Sequence, residues 1–118
     1  GKCEAYGNPV QIEQLLFNLL DNAVKYIDPG GYLKIRVVDD KKQKQIVLNI
    51  TNTTSAIIKE DLKHIFERFY RSKSGDVKKS FGRGLSIAKK IVEKHNGEIQ
   101  ASFDKNKKEV NFIVMLPT

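Results

Sequence analysis

Hydrophobic and polar positions alternate along this chain in two distinct periods, and the switches between them mark out its elements. From Val10 to Ile27 there is no Gly or Pro, and Ile12, Leu16, Leu19, Leu20, Ala23 and Ile27 recur at the spacing of an amphipathic helix. Gly7-Asn8-Pro9 before it supplies a turn, an N-cap candidate in Asn8 and Pro at the first helical position. Asp28-Pro29-Gly30-Gly31 stops it. The period then changes to two. Leu33, Ile35 and Val37 alternate with Lys34 and Arg36, and after a polar turn from Asp39 to Lys44, Ile46, Leu48 and Ile50 repeat the pattern. This predicts two half-buried antiparallel strands.

Glu60 to Arg71 reads as a second helix, with Leu62, Ile65, Phe66 and Phe69 on one side. Ser72 to Ser80 is small, polar and charged, with little to bury, and is expected to be mobile. A third helix runs from Arg83 or Gly84 to about His95, with Leu85, Ala88, Ile91 and Val92 inward and Asn96-Gly97 as its stop. Ile99, Ala101 and Phe103, then Val110, Phe112, Val114 and Leu116, form a second hairpin around a Lys-rich turn. Lys2 to Ala5 is short enough for an edge strand. The order (β)αββα-loop-αββ has its economical solution in an α+β two-layer sandwich, one sheet face covered by three helices.

Composition changes this picture little. The chain has 118 residues, enough for one domain with a core but not for two, and 40% hydrophobic with 30% charged residues is ordinary for a globular domain. No apolar run approaches the roughly 18–20 residues of a membrane span, no secretory signal opens the chain, and direct membrane contact is not expected. The single cysteine, Cys3, has no disulfide or zinc-ligand companion, which suits a reducing cytoplasm. A net charge of +7 raises nucleic-acid binding as a possibility. The basic residues are scattered, however, and no aromatic platform interleaves with them, so the reading is a solvated basic surface and no nucleic-acid partner.

Candidate chemistry begins on the first helix. Asn18, Asn22, Lys25 and Tyr26 fall on one face beside the apolar stripe, because residues three and four apart stack. Two amides, an ammonium and a phenol could bind a metal, a phosphate and an aromatic ring together. The same face would also serve as a solvated polar flank with Tyr26 half buried. Further along, Gly82 and Gly84 precede a helix, whose first unpaired N–H groups and dipole favour an anion. A lone glycine pair there is weak evidence, since a capping turn looks the same.

Together the pieces are specific. Asn18-Leu-Leu-Asp-Asn22-Ala-Val-Lys25-Tyr26, Ile65-Phe66-Glu67-Arg68-Phe69-Tyr70-Arg71, and Gly82-Arg-Gly84-Leu85-Ser86-Ile-Ala-Lys, in that order, resemble the N box, F box and second glycine box of sensor histidine kinases. The resemblance is to the catalytic ATP-binding domain, of the GHKL or Bergerat-fold superfamily, and it covers nearly the whole chain. It implies a single domain over residues 1–118, with a mixed, mostly antiparallel sheet under three helices and a flexible lid over ATP. On matching positions, Asn22 would hold Mg²⁺ through its amide oxygen, Asn18 would support that site, and Lys25 would neutralise phosphate charge. Tyr26 and Ile57 would lie against the adenine, and Asn52 would accept from its amino group. Arg68 and Arg71 would border the lid, and Gly82, Gly84 and Leu85 would offer backbone N–H groups to the phosphates.

The resemblance further implies transfer of the γ-phosphoryl group of ATP to a histidine on an adjoining dimerisation domain, for relay to a response regulator. Hydrolysing members of the superfamily carry Glu where this chain has Asn18, and an amide cannot act as a general base. His64 and His95 lack the surroundings of the acceptor and are read as structural or solvent-facing, so the acceptor segment would precede Gly1. The isolated domain is expected to be a monomer on the cytoplasmic side, and its parent a homodimer in the bacterial plasma membrane.

One stretch departs from the family. Its first glycine box reads D-x-G-x-G, whereas this chain has Asn52-Thr53-Thr54-Ser55-Ala56. Thr54 and Ala56 add Cβ atoms where the family prefers none, and a positive φ there would be costly. The alternative reading is therefore a degenerate scaffold or interaction module that has lost kinase activity.

Overall fold

The structure, a computed structural model, describes residues 7–55, 59–67 and 84–118. It has the expected α+β class, with helices α1 (Pro9–Tyr26) and α2 (Gly84–Lys94) on one face of a four-stranded sheet. The strands are β1 (Leu33–Asp40), β2 (Gln45–Thr53), β3 (Glu98–Asp104) and β4 (Glu109–Pro117), in the order β1-β2-β4-β3, and every pairing among them is antiparallel. The strand expected at Lys2–Ala5 lies outside the described residues.

Helix α1 starts where the side chain of Asn8 caps it. Its Oδ1 accepts from the N–H groups of Val10 at 3.0 Å and Gln11 at 3.2 Å, two donors that have no partner inside the helix. The inward stripe is Leu15, Leu19, Asn22, Ala23 and Tyr26. Relative to the sequence reading it is rotated by one residue, so Leu15 is buried and Leu16 sits at the margin. The rotation also carries Asn22 and Tyr26 off a surface flank and into the interior.

Under the helices, registered rows of side chains form the core. Ile50 pairs with Phe112 and Leu48 with Val114 across β2 and β4, and Ala101 of β3 completes the Phe112 row. From above, Leu85, Ala88, Ile91 and Val92 of α2 close on these rows, as their spacing predicted. The first strand does not share this burial. Ile35 and Val37 pair with Ile50 and Leu48 and so face the helix side, yet they are 53% and 51% exposed. Helix α1 packs on β2, and α2 on β3 and β4, which leaves β1 beyond the helical layer. Alternation of residue type predicted a half-buried strand; position at the sheet margin decides otherwise.

A second correction concerns the helix expected over Glu60–Arg71. Its described part is a 3-10 turn, Lys59–Lys63, continued by hydrogen bonds from His64 N–H to the Asp61 carbonyl at 3.0 Å and from Glu67 N–H to the His64 carbonyl at 2.8 Å. These are i to i+3 bonds, tighter than an α-helix. Asp61 is drawn fully inside, which interrupts the apolar stripe, while Ile65, Leu62 and Phe66 still pack on the core.

The two α-helices run antiparallel and are joined at one end by His95. Its Nδ1–H donates to the Ile91 carbonyl at 2.8 Å, and its Nε2 accepts the Asn8 N–H at 3.1 Å. The ring crowds Gly7, where an added Cβ would stand 2.4 Å from its Cδ2. Beyond it the chain turns through Asn96 in the left-handed region (φ 61°), and the Gly97 N–H returns to the Val92 carbonyl at 2.9 Å. A Cβ on Gly97 would meet the Met115 carbonyl oxygen at 2.3 Å. Backbone cannot swing aside as a side chain can, so Gly97→Ala is expected to lower stability by about 1–3 kcal/mol, the usual range for overpacking. Denaturant unfolding checks this, and an unchanged midpoint would show that β4 yields there freely.

A candidate nucleotide site between the two helices

The face of α1 that carries the candidate residues looks toward the start of α2. A Cβ added at Gly84 would lie 3.9 Å from the Asn18 Cβ, so the first turn of α2 abuts the middle of α1. The first N–H groups of any α-helix have no partner within it, and the dipole makes that end electropositive. Here that end meets Asn18, whose Nδ2 is buried without a hydrogen-bond partner. One turn on, Asn22 is 7% exposed, and Lys25 follows on the open side in the last turn. Leu85 points into the core, which fixes the depth at which α2 begins. Tyr26 is 3% exposed and belongs to the core, so any ligand would meet only its margin.

The end of β2 supplies the other wall. Asn52 is fully buried on the helix-facing side, and its Oδ1 has no partner; its Nδ2 makes one contact, with the Thr53 carbonyl at 3.4 Å. The same Thr53 carbonyl accepts the Asp28 N–H at 3.0 Å, tying the chain just beyond α1 to the end of β2. The Asp28 carboxylate in turn accepts from the Ser55 N–H at 2.8 Å and its hydroxyl at 2.9 Å. Asp28 reads in the sequence only as part of a helix stop; its partner lies 27 residues away, and no local signal marks the pair. On the opposite side of this join, the Tyr32 phenol bonds the Glu109 carboxylate.

Thr54 takes its place without the strain that its departure from glycine suggested. It is not among the residues with positive φ, it is fully buried, and its N–H donates to the Lys108 carbonyl at 2.8 Å. Ala56, Ile57, Arg68, Arg71 and Gly82 lie outside the described residues. A cavity of about 630 Å³ opens beside Thr54 and Ser55 toward Phe103 and the β3–β4 turn, but no described residue of α1 lines it. The chemistry is concentrated elsewhere, at the two orphaned amides.

Both histidines are engaged. The ring nitrogens of His95 are used as described above, and the Nδ1 of His64 faces the Glu67 carboxylate at 2.8 Å. Among the described residues, no group of three or more His, Cys, Asp or Glu could cage a metal. An amide oxygen on Asn22, with the remaining positions filled by phosphate and water, fits Mg²⁺, which keeps part of its hydration and takes few protein ligands.

Comparison with known proteins identifies the family. The family described as "Histidine kinase-, DNA gyrase B-, and HSP90-like ATPase" matches residues 7–118. The sensor protein RprX of Bacteroides fragilis is 36% identical over 114 residues, covering 95% of this chain and 22% of that protein. The sensory kinase SasA of Synechococcus elongatus is 37% identical over 94 residues, covering 80% of this chain and 24% of that one. The chain thus spans under a quarter of the length of these curated relatives. Among solved structures, a mycobacterial sensor histidine kinase, MprB, superposes with a TM-score of 0.83 at 28% identity, over 96% of this chain and 76% of that one. The catalytic domain of histidine kinase ThkA gives 0.74 at 28% identity, over 94% and 69%. With the family matched from Gly7 to the last residue and the fold shared with two kinase structures, this chain belongs to the histidine kinase-, DNA gyrase B- and HSP90-like ATPase family.

Proposed function

We propose that this chain is the ATP-binding catalytic domain of a sensor histidine kinase, presenting the γ-phosphoryl group of ATP to a histidine on an adjoining dimerisation domain. The observation that carries the reading is the buried, unpartnered Nδ2 of Asn18 against the N-terminus of α2. A buried donor without a partner costs about 1–3 kcal/mol, so it is kept where a ligand satisfies it. A phosphate chain at this point would accept from that amide and from the first N–H groups of α2, with Lys25 beside it. When bound, Mg²⁺ would supply charge neutralisation at the phosphates, and Asn22 would be its protein ligand.

Catalysis in this scheme is mainly positioning and electrostatics. A nitrogen of the acceptor imidazole forms its bond to the γ-phosphorus as the bond to the β,γ-bridging oxygen breaks and ADP leaves. Asn18 offers no base to activate water, so transfer prevails over hydrolysis. The engagement of both ring nitrogens of His95 favours an acceptor outside this domain. The response regulator, the homodimeric parent and its seat in a bacterial plasma membrane belong to the same proposal. Among the described residues, no helix is long and apolar enough to cross a membrane.

Calorimetric titration with a non-hydrolysable ATP analogue tests the nucleotide site. Saturable binding that weakens at least about tenfold without Mg²⁺ is expected, a loss of roughly 1.4 kcal/mol. No heat of binding up to millimolar nucleotide would sink the proposal and favour a degenerate module.

A further inference from the structure

We propose that Asn52 makes the base pocket tolerant of the group at C6 of a purine, so that this domain takes 6-oxopurine nucleoside triphosphates alongside ATP. The inference rests on the nucleotide-site reading above, with Asn52 facing the base.

Asn52 is the last inward residue of β2, in register with Leu33 on one side and Val110 on the other. It is fully buried, its Oδ1 has no partner, and the 3.4 Å contact of its Nδ2 lies beyond the usual range for N–H···O bonds. Neither end of the amide is therefore committed within the protein. A carboxylate at this position would offer acceptors only. With the base held so that C6 faces it, a carboxylate would pair with the amino group of adenine and oppose the O6 of a 6-oxopurine, even where its second oxygen accepts from N1–H. An amide carries one acceptor and one donor, and rotation about its terminal bond, a broad and nearly two-fold torsion, exchanges them.

The two purine edges are mirror cases of this switch. Adenine presents an amino donor at C6 and an acceptor at N1. Hypoxanthine presents an acceptor at O6 and a donor at N1. In one orientation Oδ1 accepts from the adenine amino group while Nδ2 faces N1; in the other Nδ2 donates to O6 while Oδ1 accepts from N1–H. Only the weak contact with the Thr53 carbonyl opposes the exchange. Each base satisfies the orphaned oxygen.

Inosine triphosphate is the discriminating probe, since it changes the C6–N1 edge and adds nothing at C2. Titrated against the whole chain with Mg²⁺, its Kd is expected to lie within about fivefold of that for ATP. In Asn52→Asp the ratio should move to at least about tenfold in favour of ATP, the scale of leaving a buried polar group mispaired. In Asn52→Leu, of similar shape but with neither donor nor acceptor, both nucleotides should weaken by similar factors. Circular dichroism confirms that each variant is folded, and the wild-type ratio needs no variant. Wild-type protein that binds ATP but rejects inosine triphosphate overturns this inference and leaves the nucleotide site standing. An Asn52→Asp ratio equal to the wild-type one also overturns it, since another group would then read C6. Failure of the wild-type chain to bind either nucleotide overturns both.

Discussion

Asn22→Ala is expected to weaken Mg²⁺-dependent nucleotide binding about a hundredfold while changing stability by less than about 1 kcal/mol. The first figure follows from removing an amide oxygen that would face a cation, where hydrogen bonds and contacts to charged groups are worth about 1.5–3 kcal/mol each. The second follows from the position. Asn22 lies in α1 between Leu19, Ala23 and Tyr26, which hold the helix on the sheet without it. Ala also has the higher helix propensity, by several tenths of a kcal/mol, which offsets part of the lost packing. Titration with and without Mg²⁺, beside a thermal melt, separates the two effects. A variant that binds as tightly as wild type, with the same Mg²⁺ dependence, would remove Asn22 from the site. One that loses binding together with its fold would assign Asn22 to the core.

The largest effect on stability is expected from Phe112→Ala. Phe112 is among the largest fully buried side chains, and it sits in the central strand pair between Ile50 and Ala101. Phe66 meets it edge-on, with centroids 6.2 Å apart and planes at 74°. Removing a buried ring of this kind costs about 3–5 kcal/mol, from lost transfer energy and from a cavity the neighbours cannot refill. At about 3–5 °C per kcal/mol for a domain of this size, the melting midpoint should fall by roughly 10–20 °C. Urea unfolding followed by circular dichroism gives the number. A shift below about 1 kcal/mol would mean that the rows of the core repack, contrary to their registered pairing.

Much of this architecture is legible in local pattern because the pattern and the packing agree. Helix α2 and the β3–β4 hairpin have one face each, and Leu85, Ala88, Ile91, Phe112 and Val114 are buried where period predicts. Where the reading fails, the missing information is tertiary. Nothing in Leu33-Lys-Ile35-Arg-Val37 tells that the helical layer stops short of β1, since alternation reports the residue types and not what lies above them. Nor does the spacing of Leu62, Ile65 and Phe66 show that Asp61 turns inward and tightens the segment into 3-10 geometry.

The candidate site was legible differently. The fold brings Gly84 against Asn18, although residues 18 and 84 are far apart in sequence. What no pattern could supply is which of their polar atoms are left without partners. That depends on distances of tenths of an ångström. The Asp28–Ser55 tie escaped for the same reason, as did the role of His95, whose surroundings are the first turn of one helix and the last of another.

The His95 clamp makes the helix pair a lever with its fulcrum far from the proposed phosphate site. Fixed at Asn8 and His95, the 11 residues of α2 form an arm of about 16 Å that ends at Gly84. A tilt of about 5° on that pivot would carry the tip by roughly 1.4 Å against Asn18, at the scale of the rise per residue of a helix. Were a phosphate chain bound there as proposed, such a tilt would move Leu85 against the core at the tip, while Ile91 and Val92 near the fulcrum would hardly move.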